Sequence, residues 1–96
     1  YPNYILSSIR KSLILLKLKR YKDSIDTFMA IKPYILKNLD IIKQDGFYLE
    51  FLYLSELFMK GIERLPSDLK SKIAPLTLLL AYVKNTETTN NKKLIA

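Results

Sequence analysis

The sequence predicts an all-α fold of about five helices packed as antiparallel hairpins, in a helical-repeat-like arrangement or a small bundle. Apolar residues recur every three to four positions along most of the chain, which is the spacing of one helix face. The 96 residues include only two glycines and four prolines, too few for the many tight turns of an all-β domain. Because 49% of the residues are hydrophobic and 26% are charged, the composition is that of a globular domain.

The predicted helices are separated by prolines, a glycine and a basic segment. They cover residues 1–19, 20–32, 33–46, 47–65 and 66–84. Pro33 starts the third helix and Gly46 ends it, since proline suits a first helical turn and glycine suits a C-terminal stop. Pro75 is expected to kink the fifth helix or to split it in two. The fourth segment is apolar on nearly every side, which predicts a central buried helix.

One helical domain is expected over residues 1–84, followed by a flexible polar tail over 85–96. Because the chain begins at Tyr1 and not at a methionine, we expect a fragment of a longer protein. No segment reaches the ~20 apolar residues that span a bilayer, so no transmembrane segment is predicted. Small secreted domains usually contain disulfides, so the absence of cysteine predicts an intracellular protein, cytoplasmic or nuclear. The sequence leaves the oligomeric state open.

The chain contains neither cysteine nor histidine, which excludes several kinds of chemistry. Thiolate metal sites, a cysteine nucleophile and a histidine base are all impossible. Asp23 and Asp26 share a helix face, but their expected exposure next to Lys22 makes them a poor cation site. Glu50 and Glu56 point about 240° apart on one helix and do not form a pair. We therefore predict a non-enzymatic protein with no catalytic residue, metal or cofactor.

The positive charge is concentrated near the N-terminus. The formal net charge is +7, and the first 22 residues contain six basic residues and no acidic one. On one continuous ideal helix, Arg10, Lys17 and Arg20 would lie within about 80° of one another. Such a patch attracts an acidic protein surface or the phosphates of nucleic acid, although a simply solvated face has the same composition. The predicted patch comprises Arg10, Lys17, Lys19, Arg20 and Lys22.

One segment, KSLILLKLKRYKDSIDTF at residues 11–28, resembles a tetratricopeptide repeat, a 34-residue unit of two antiparallel helices. Ser12 and Ser24 match the small residues where the two helices of such a repeat approach closely. Leu15 matches the large residue of the first helix. Tyr21 matches the aromatic residue that opens the second helix, and Phe28 matches the one that packs between neighbouring repeats. The resemblance covers about residues 8–33.

The match to the repeat is incomplete. Ser8, Lys11 and Lys19 stand where the repeat usually has a bulky residue, a leucine and a turn glycine. Thirty-four residues after the first small position, Gly46 fits the pattern, but Phe58 stands where a small residue is needed. The alternative is an unrelated helical hairpin whose aromatic residues simply belong to the core.

The resemblance implies a stack of helix pairs with a concave face lined mainly by the first helices. The candidate groove residues on that face are Leu6, Ile9, Leu13 and Leu16. Apolar stripes of this kind also pack against another helix of the same protein, so both interpretations stay open. The sequence favours a non-catalytic protein–protein interaction or scaffold domain within a larger assembly, docking a helix, a peptide or an acidic partner. The alternative is nucleic-acid binding through the basic N-terminal hairpin.

Overall fold

A computed structural model describes residues 2–86, and within this range every regular element is an α-helix. Seven helices follow one another: α1 (Pro2–Lys17), α2 (Tyr21–Ala30), α3 (Lys32–Lys37), α4 (Leu39–Ile42), α5 (Asp45–Ile62), α6 (Ser67–Lys70) and α7 (Ala74–Asn85). The prediction of an all-α small bundle is therefore confirmed. Asn85, the first residue of the predicted tail, is the last residue of α7, and the tail from residue 87 onward lies outside the described residues.

The third predicted helix is two short helices, α3 and α4, with a break at Asn38. The Asn38 side-chain amide donates a hydrogen bond to the Tyr34 carbonyl at 2.7 Å, and so competes with the helical backbone pairing. The prediction that Gly46 ends this helix is wrong, because Gly46 lies in the first turn of α5. Gln44 is extended and its carbonyl accepts the Tyr48 N–H at 2.7 Å, which starts the new helix.

Pro75 splits the last predicted helix, as expected. It occupies the first turn of α7, where a missing backbone N–H leaves no helical hydrogen bond unmade. α7 runs antiparallel to α5, since Lys84 pairs with Glu56 at 3.6 Å while Thr77 and Glu63 line the groove between the two helices. The residues that α7 buries are Leu76, Leu79, Leu80 and Val83. This helix therefore closes one side of the core.

The two helices of the first hairpin meet at buried serines. Ser12 and Ser24 are completely buried, and the Ser24 hydroxyl donates to the Ser12 carbonyl at 2.6 Å. The Ser12 hydroxyl donates to the Ser8 carbonyl at 2.9 Å. Small side chains let the backbones of α1 and α2 approach closely, and both buried hydroxyls remain hydrogen-bonded.

The turn between α1 and α2 is a helix stop centred on Lys19. Lys19 has a φ of 62°, in the left-handed region, and is the only described residue with a positive φ. Its N–H donates to the Leu16 carbonyl at 3.1 Å, and the Arg20 N–H donates to the Leu15 carbonyl at 3.0 Å. This pair of hydrogen bonds is a Schellman motif, which ends α1 and lets the chain turn back as α2.

α5 runs in the same direction as α1. Arg10 of α1 pairs with Glu50 near the start of α5. Further along both helices, the Leu16 side chain occupies the space that a Cβ at Gly61 would need. A glycine at this position therefore allows α1 and α5 to approach closely.

The core lies between the first hairpin, α5 and α7. Phe28 of α2 stacks on Phe58 of α5, with ring centroids 4.6 Å apart and ring planes 29° apart. The largest fully buried side chains are Ile5, Ile9, Ile25, Phe28, Ile31, Ile35, Ile42, Phe51, Phe58, Ile62, Leu76 and Val83. Because they come from α1, α2, α3, α4, α5 and α7, one continuous apolar cluster holds the helices together.

The prediction that α5 is buried on nearly every side is wrong. Phe51, Phe58 and Ile62 are completely buried, whereas Leu49 and Tyr53 are exposed. The first hairpin packs on one flank of α5 and α7 lies along the other. No described helix covers the remaining side, which faces away from the core.

Lys43 ties the C-terminus of α7 to the segment before α5. Its ammonium group donates to the Val83 carbonyl at 2.8 Å and to the Lys84 carbonyl at 3.3 Å. The same group lies 4.5 Å from the centroid of the Tyr48 ring. A cation at this end of a helix compensates the partial negative charge of the unpaired carbonyls, so the contact stabilises the last turn of α7.

Replacing Lys19 by glycine is expected to stabilise the protein. The left-handed conformation costs a residue with a Cβ about 1 kcal/mol, and glycine adopts it without that cost. We expect the free energy of unfolding in urea to rise by about 0.5–1 kcal/mol. The control is Lys11→Gly within α1, which should lower it by about 1 kcal/mol. A Lys19→Gly protein less stable than wild type would contradict the conformation of this turn.

Two buried serines are expected to respond oppositely to alanine substitution. Ser55 is 1% exposed, and its hydroxyl has no hydrogen-bond partner among the described residues. Ser55→Ala should raise the free energy of unfolding by about 1 kcal/mol, because it removes an unsatisfied buried polar group. Ser24→Ala should lower it by about 1 kcal/mol, because it removes a satisfied one. Urea denaturation of both variants decides, and changes of the same sign would contradict the assignment.

Candidate functional site

Both arginines of the predicted basic patch are engaged by carboxylates. Arg10 forms an ion pair with Glu50 of α5. Arg20 donates from Nη2 and Nε to one oxygen of Asp23, at 2.6 and 3.0 Å. All four side chains are about half exposed, and exposed ion pairs contribute at most about 1 kcal/mol. These contacts balance the arginine charges locally and add little to the stability of the fold.

Arg20 does not belong to a stripe along α1. The prediction that Arg10, Lys17 and Arg20 share one continuous helix is wrong, because α1 ends at Lys17. Arg20 immediately precedes α2, after the left-handed turn at Lys19. Because the chain reverses direction there, the Arg20 side chain lies beside Asp23 of α2.

Lys17, Lys19 and Lys22 are exposed at the end of the first hairpin and are called the turn lysines below. Lys17 is the last residue of α1, Lys19 is the left-handed residue and Lys22 is the second residue of α2. Within residues 2–86, none of the three takes part in an ion pair. The predicted patch therefore divides into two balanced arginines and three lysines whose charges are open to solvent.

Two of the four candidate groove residues belong to the core. Leu6 and Ile9 are buried, and Leu13 and Leu16 are partly buried and pack against the core. The reason is that α5 covers this side of α1, where Leu16 lies against Gly61. The groove prediction is therefore wrong for Leu6 and Ile9. The apolar stripe of α1 is an internal contact between helices.

A different set of apolar side chains is open to solvent on α1 and α5. Ile14 is 59% exposed and Leu18 62%, while Tyr53 is 64% exposed and Leu57 39%. Ile14 lies one turn beyond the ion-paired arginine, and Tyr53 and Leu57 lie one and two turns beyond its glutamate partner. The exposed sides of the two helices are thus joined by the ion pair and continue beside one another. The α1–α5 face, as we call it, comprises Arg10, Ile14, Lys17, Leu18, Glu50, Tyr53 and Leu57.

Sequence reasoning missed this face, although the helical projection carries a signal for it. At 100° per residue, Ile14 lies about 180° from Ile5, so a helix that buries Ile5 exposes Ile14. In α5, Tyr53 lies about 200° from Phe51 and is exposed for the same reason. An apolar stripe opposite the core stripe was therefore readable. Which of the two stripes is buried depends on the neighbouring helices.

The acidic residues do not form a metal site within the described part of the chain. No three side chains of metal-binding type are grouped there. Asp23 accepts from Arg20, Glu50 pairs with Arg10, and Glu56 lies 3.6 Å from Lys84. Each of these three carboxylates therefore meets a basic side chain at the surface.

The clefts on the described surface are shallow, with volumes of about 420–480 Å³. One lies between α1 and α2, where Lys11 and Arg20 face Asp23 and Asp26. Its charges are mixed, so it favours no single class of ligand. None of the described helices combines the length and the apolar character that crossing a membrane requires.

Comparisons with known proteins give no family. No family model matches the sequence, and no curated protein or solved structure matches it either. The resemblance of residues 8–33 to a tetratricopeptide repeat stays a prediction. Tyr53, 34 residues after Lys19, lies within α5, so the turn of the first hairpin has no counterpart at that spacing.

Two isoleucines of α1 are expected to differ sharply in their contribution to stability. Ile9→Ala should lower the free energy of unfolding by about 2–4 kcal/mol, because it leaves a cavity in the core. Ile14→Ala should change it by less than about 0.5 kcal/mol, because the side chain is exposed. Urea denaturation of the two variants makes the comparison. Equal losses would mean that α1 is oriented differently and that the α1–α5 face does not exist.

Proposed function

We propose that this chain is a non-catalytic protein-interaction domain within a larger assembly. In this proposal an acidic segment of a partner protein docks on the α1–α5 face and the turn lysines. One observation carries it: on this surface, three lysines without an ion pair among the described residues adjoin four exposed apolar side chains. Apolar contact supplies affinity at a protein interface, and a charged rim supplies selectivity and rapid association.

The charge distribution supports an acidic partner. The chain carries a formal net charge of +7, and its turn lysines are concentrated at one end of the first hairpin. Such a concentration produces a positive potential that attracts a negatively charged surface before contact. Lysine ammonium groups on flexible stems adapt to carboxylates in several geometries.

The state of the arginines favours protein over nucleic acid. Arginine is the side chain best suited to bind a phosphate through two parallel hydrogen bonds. Arg10 and Arg20 are both occupied by carboxylates, and Glu50 and Asp23 place negative charge on the same surface. A phosphate backbone would have to displace these partners, whereas an apolar side chain of a protein would not.

The number of exposed apolar side chains also favours a protein partner. Ile14, Leu18, Tyr53 and Leu57 lie on neighbouring helices that the ion pair joins. Contiguous apolar surface rimmed by polar residues is typical of a protein-binding site. We extend the proposal to an intracellular location, which the complete absence of cysteine supports.

Changing all three turn lysines to glutamate is expected to abolish binding of acidic peptides. A random peptide library displayed on phage is selected against the immobilised wild-type protein, and the recovered peptides are measured by fluorescence polarisation. We expect enrichment of Asp and Glu, and a loss of affinity of about tenfold or more in the triple variant. The reason is that carboxylates of the peptide then meet like charges.

The matched control for this experiment is Lys37→Glu/Lys70→Glu/Lys72→Glu. These lysines are exposed, and their replacement makes the same change in net charge away from the turn. We expect this variant to retain most of the affinity. An equal loss in both variants would show that only net charge matters and would contradict the proposed surface. Tighter binding of a DNA or RNA duplex, with affinity falling log-linearly between ~50 and ~200 mM salt, would establish nucleic-acid binding instead.

A further inference from the structure

The apolar residues of the α1–α5 face form two rows on neighbouring helices that run in the same direction. One row is Ile14 and Leu18 on α1, and the other is Tyr53 and Leu57 on α5. Within each row the residues are four positions apart, which corresponds to about 6 Å along the helix axis. The anchors are therefore spaced at intervals of one helical turn.

We infer that the occupant of this face is an acidic amphipathic α-helix of a partner protein. Its apolar residues, spaced i, i+4 and i+7, lie between the two rows of the face. Its carboxylates lie at the end of the face where Lys17, Lys19 and Lys22 are exposed. This inference rests on the proposed function and adds the conformation and the residue pattern of the partner.

The spacing and the backbone favour a helical partner over an extended one. An extended peptide usually docks by adding a strand to the edge of a sheet, and residues 2–86 contain no strand. A helix instead presents one apolar side chain per turn to a surface, with anchors at i, i+3, i+4 and i+7. The rows on α1 and α5 repeat at that interval.

The charge along the face is unequal at its two ends, and this argues for carboxylates at one end of the partner. At the end marked by Arg10, the guanidinium is paired with Glu50. At the other end Lys17, Lys19 and Lys22 have no ion-pair partner among residues 2–86. An acidic helix gains favourable contacts only at the lysine end.

The groove between α5 and α7 lacks this polarity. Glu56 and Glu63 line it together with Lys60 and Lys84, and Lys84 already pairs with Glu56. Charges of both signs along one groove select no single kind of partner. The α1–α5 face is therefore the surface of the described chain whose chemistry specifies its occupant.

The test uses two synthetic peptides and the full chain. The first peptide is a helix of ~18 residues, ~27 Å long, with leucines at i, i+4 and i+7 and glutamates clustered at one end. The second has the same charges, with each leucine replaced by serine. We expect the leucine peptide to bind the wild-type protein about tenfold or more tightly than the serine peptide, by fluorescence polarisation.

The protein variants assign that difference to the face. In Ile14→Ser/Leu18→Ser the preference for the leucine peptide should fall to less than about twofold, as expected for paired contacts in a double-mutant cycle. The matched control is Leu78→Ser/Tyr82→Ser, which removes two exposed apolar side chains at the same spacing from α7 and should keep the preference. Circular dichroism verifies that both variants are folded.

A second measurement does not depend on any variant. Amide chemical shifts of the ¹⁵N-labelled wild-type protein are followed while the leucine peptide is added. Shifts concentrated on the exposed positions of α1 and α5 support the inference, and shifts concentrated on α7 overturn it.

The outcomes separate this inference from the proposed function. If both peptides bind equally and the glutamate variant of the turn lysines binds neither, the amphipathic helix is ruled out and the acidic-partner function stands. If neither peptide binds and the phage selection recovers no acidic sequence, both proposals fail together.

Discussion

The close approach of α1 and α2 at Ser12 and Ser24 is the contact on which the rest of this bundle depends. Both serines are completely buried, and the Ser24 hydroxyl bonds to the Ser12 carbonyl at 2.6 Å. A larger side chain at either position would push the helices apart, because protein interiors have no spare volume. Phe28 of α2 would then lose its stacked position on Phe58, and with it the docking of α5 onto the hairpin.

The α1–α5 face is a consequence of that packing. α5 meets α1 along one flank, where Gly61 makes room for Leu16, and this contact buries the stripe that contains Ile9. The opposite stripe is left outside, with Ile14 exposed beside the surface ion pair. The face thus consists of the apolar residues that the fold does not need, together with lysines that the fold does not pair. This separation means that the surface can change with little effect on stability.

Sequence patterns predicted most of the helices and failed where side chains compete with the backbone or where neighbouring helices decide. The 3.6-residue periodicity located α1, α2 and α5, and the fixed φ of proline located the start of α7 at Pro75. The break at Asn38 depends on one amide hydrogen bond that no apolar pattern reveals. For the candidate site, the three lysines were identified from charge alone, whereas Leu6 and Ile9 were assigned to a groove because a buried stripe and a binding stripe have the same periodicity.

The amino-acid sequence alone was enough to establish an all-α chain with a basic first hairpin and no cysteine or histidine chemistry, because periodicity, charge and composition are local properties. The tertiary structure was needed to show that Arg20 leaves the line of α1, since the left-handed turn at Lys19 reverses the chain. It was equally needed to show that Arg10 is paired across helices and that Ile14, not Ile9, faces solvent. These properties depend on the position of α5, 40 residues further along the chain from Arg10 to Glu50, and no local pattern encodes a contact between such distant segments.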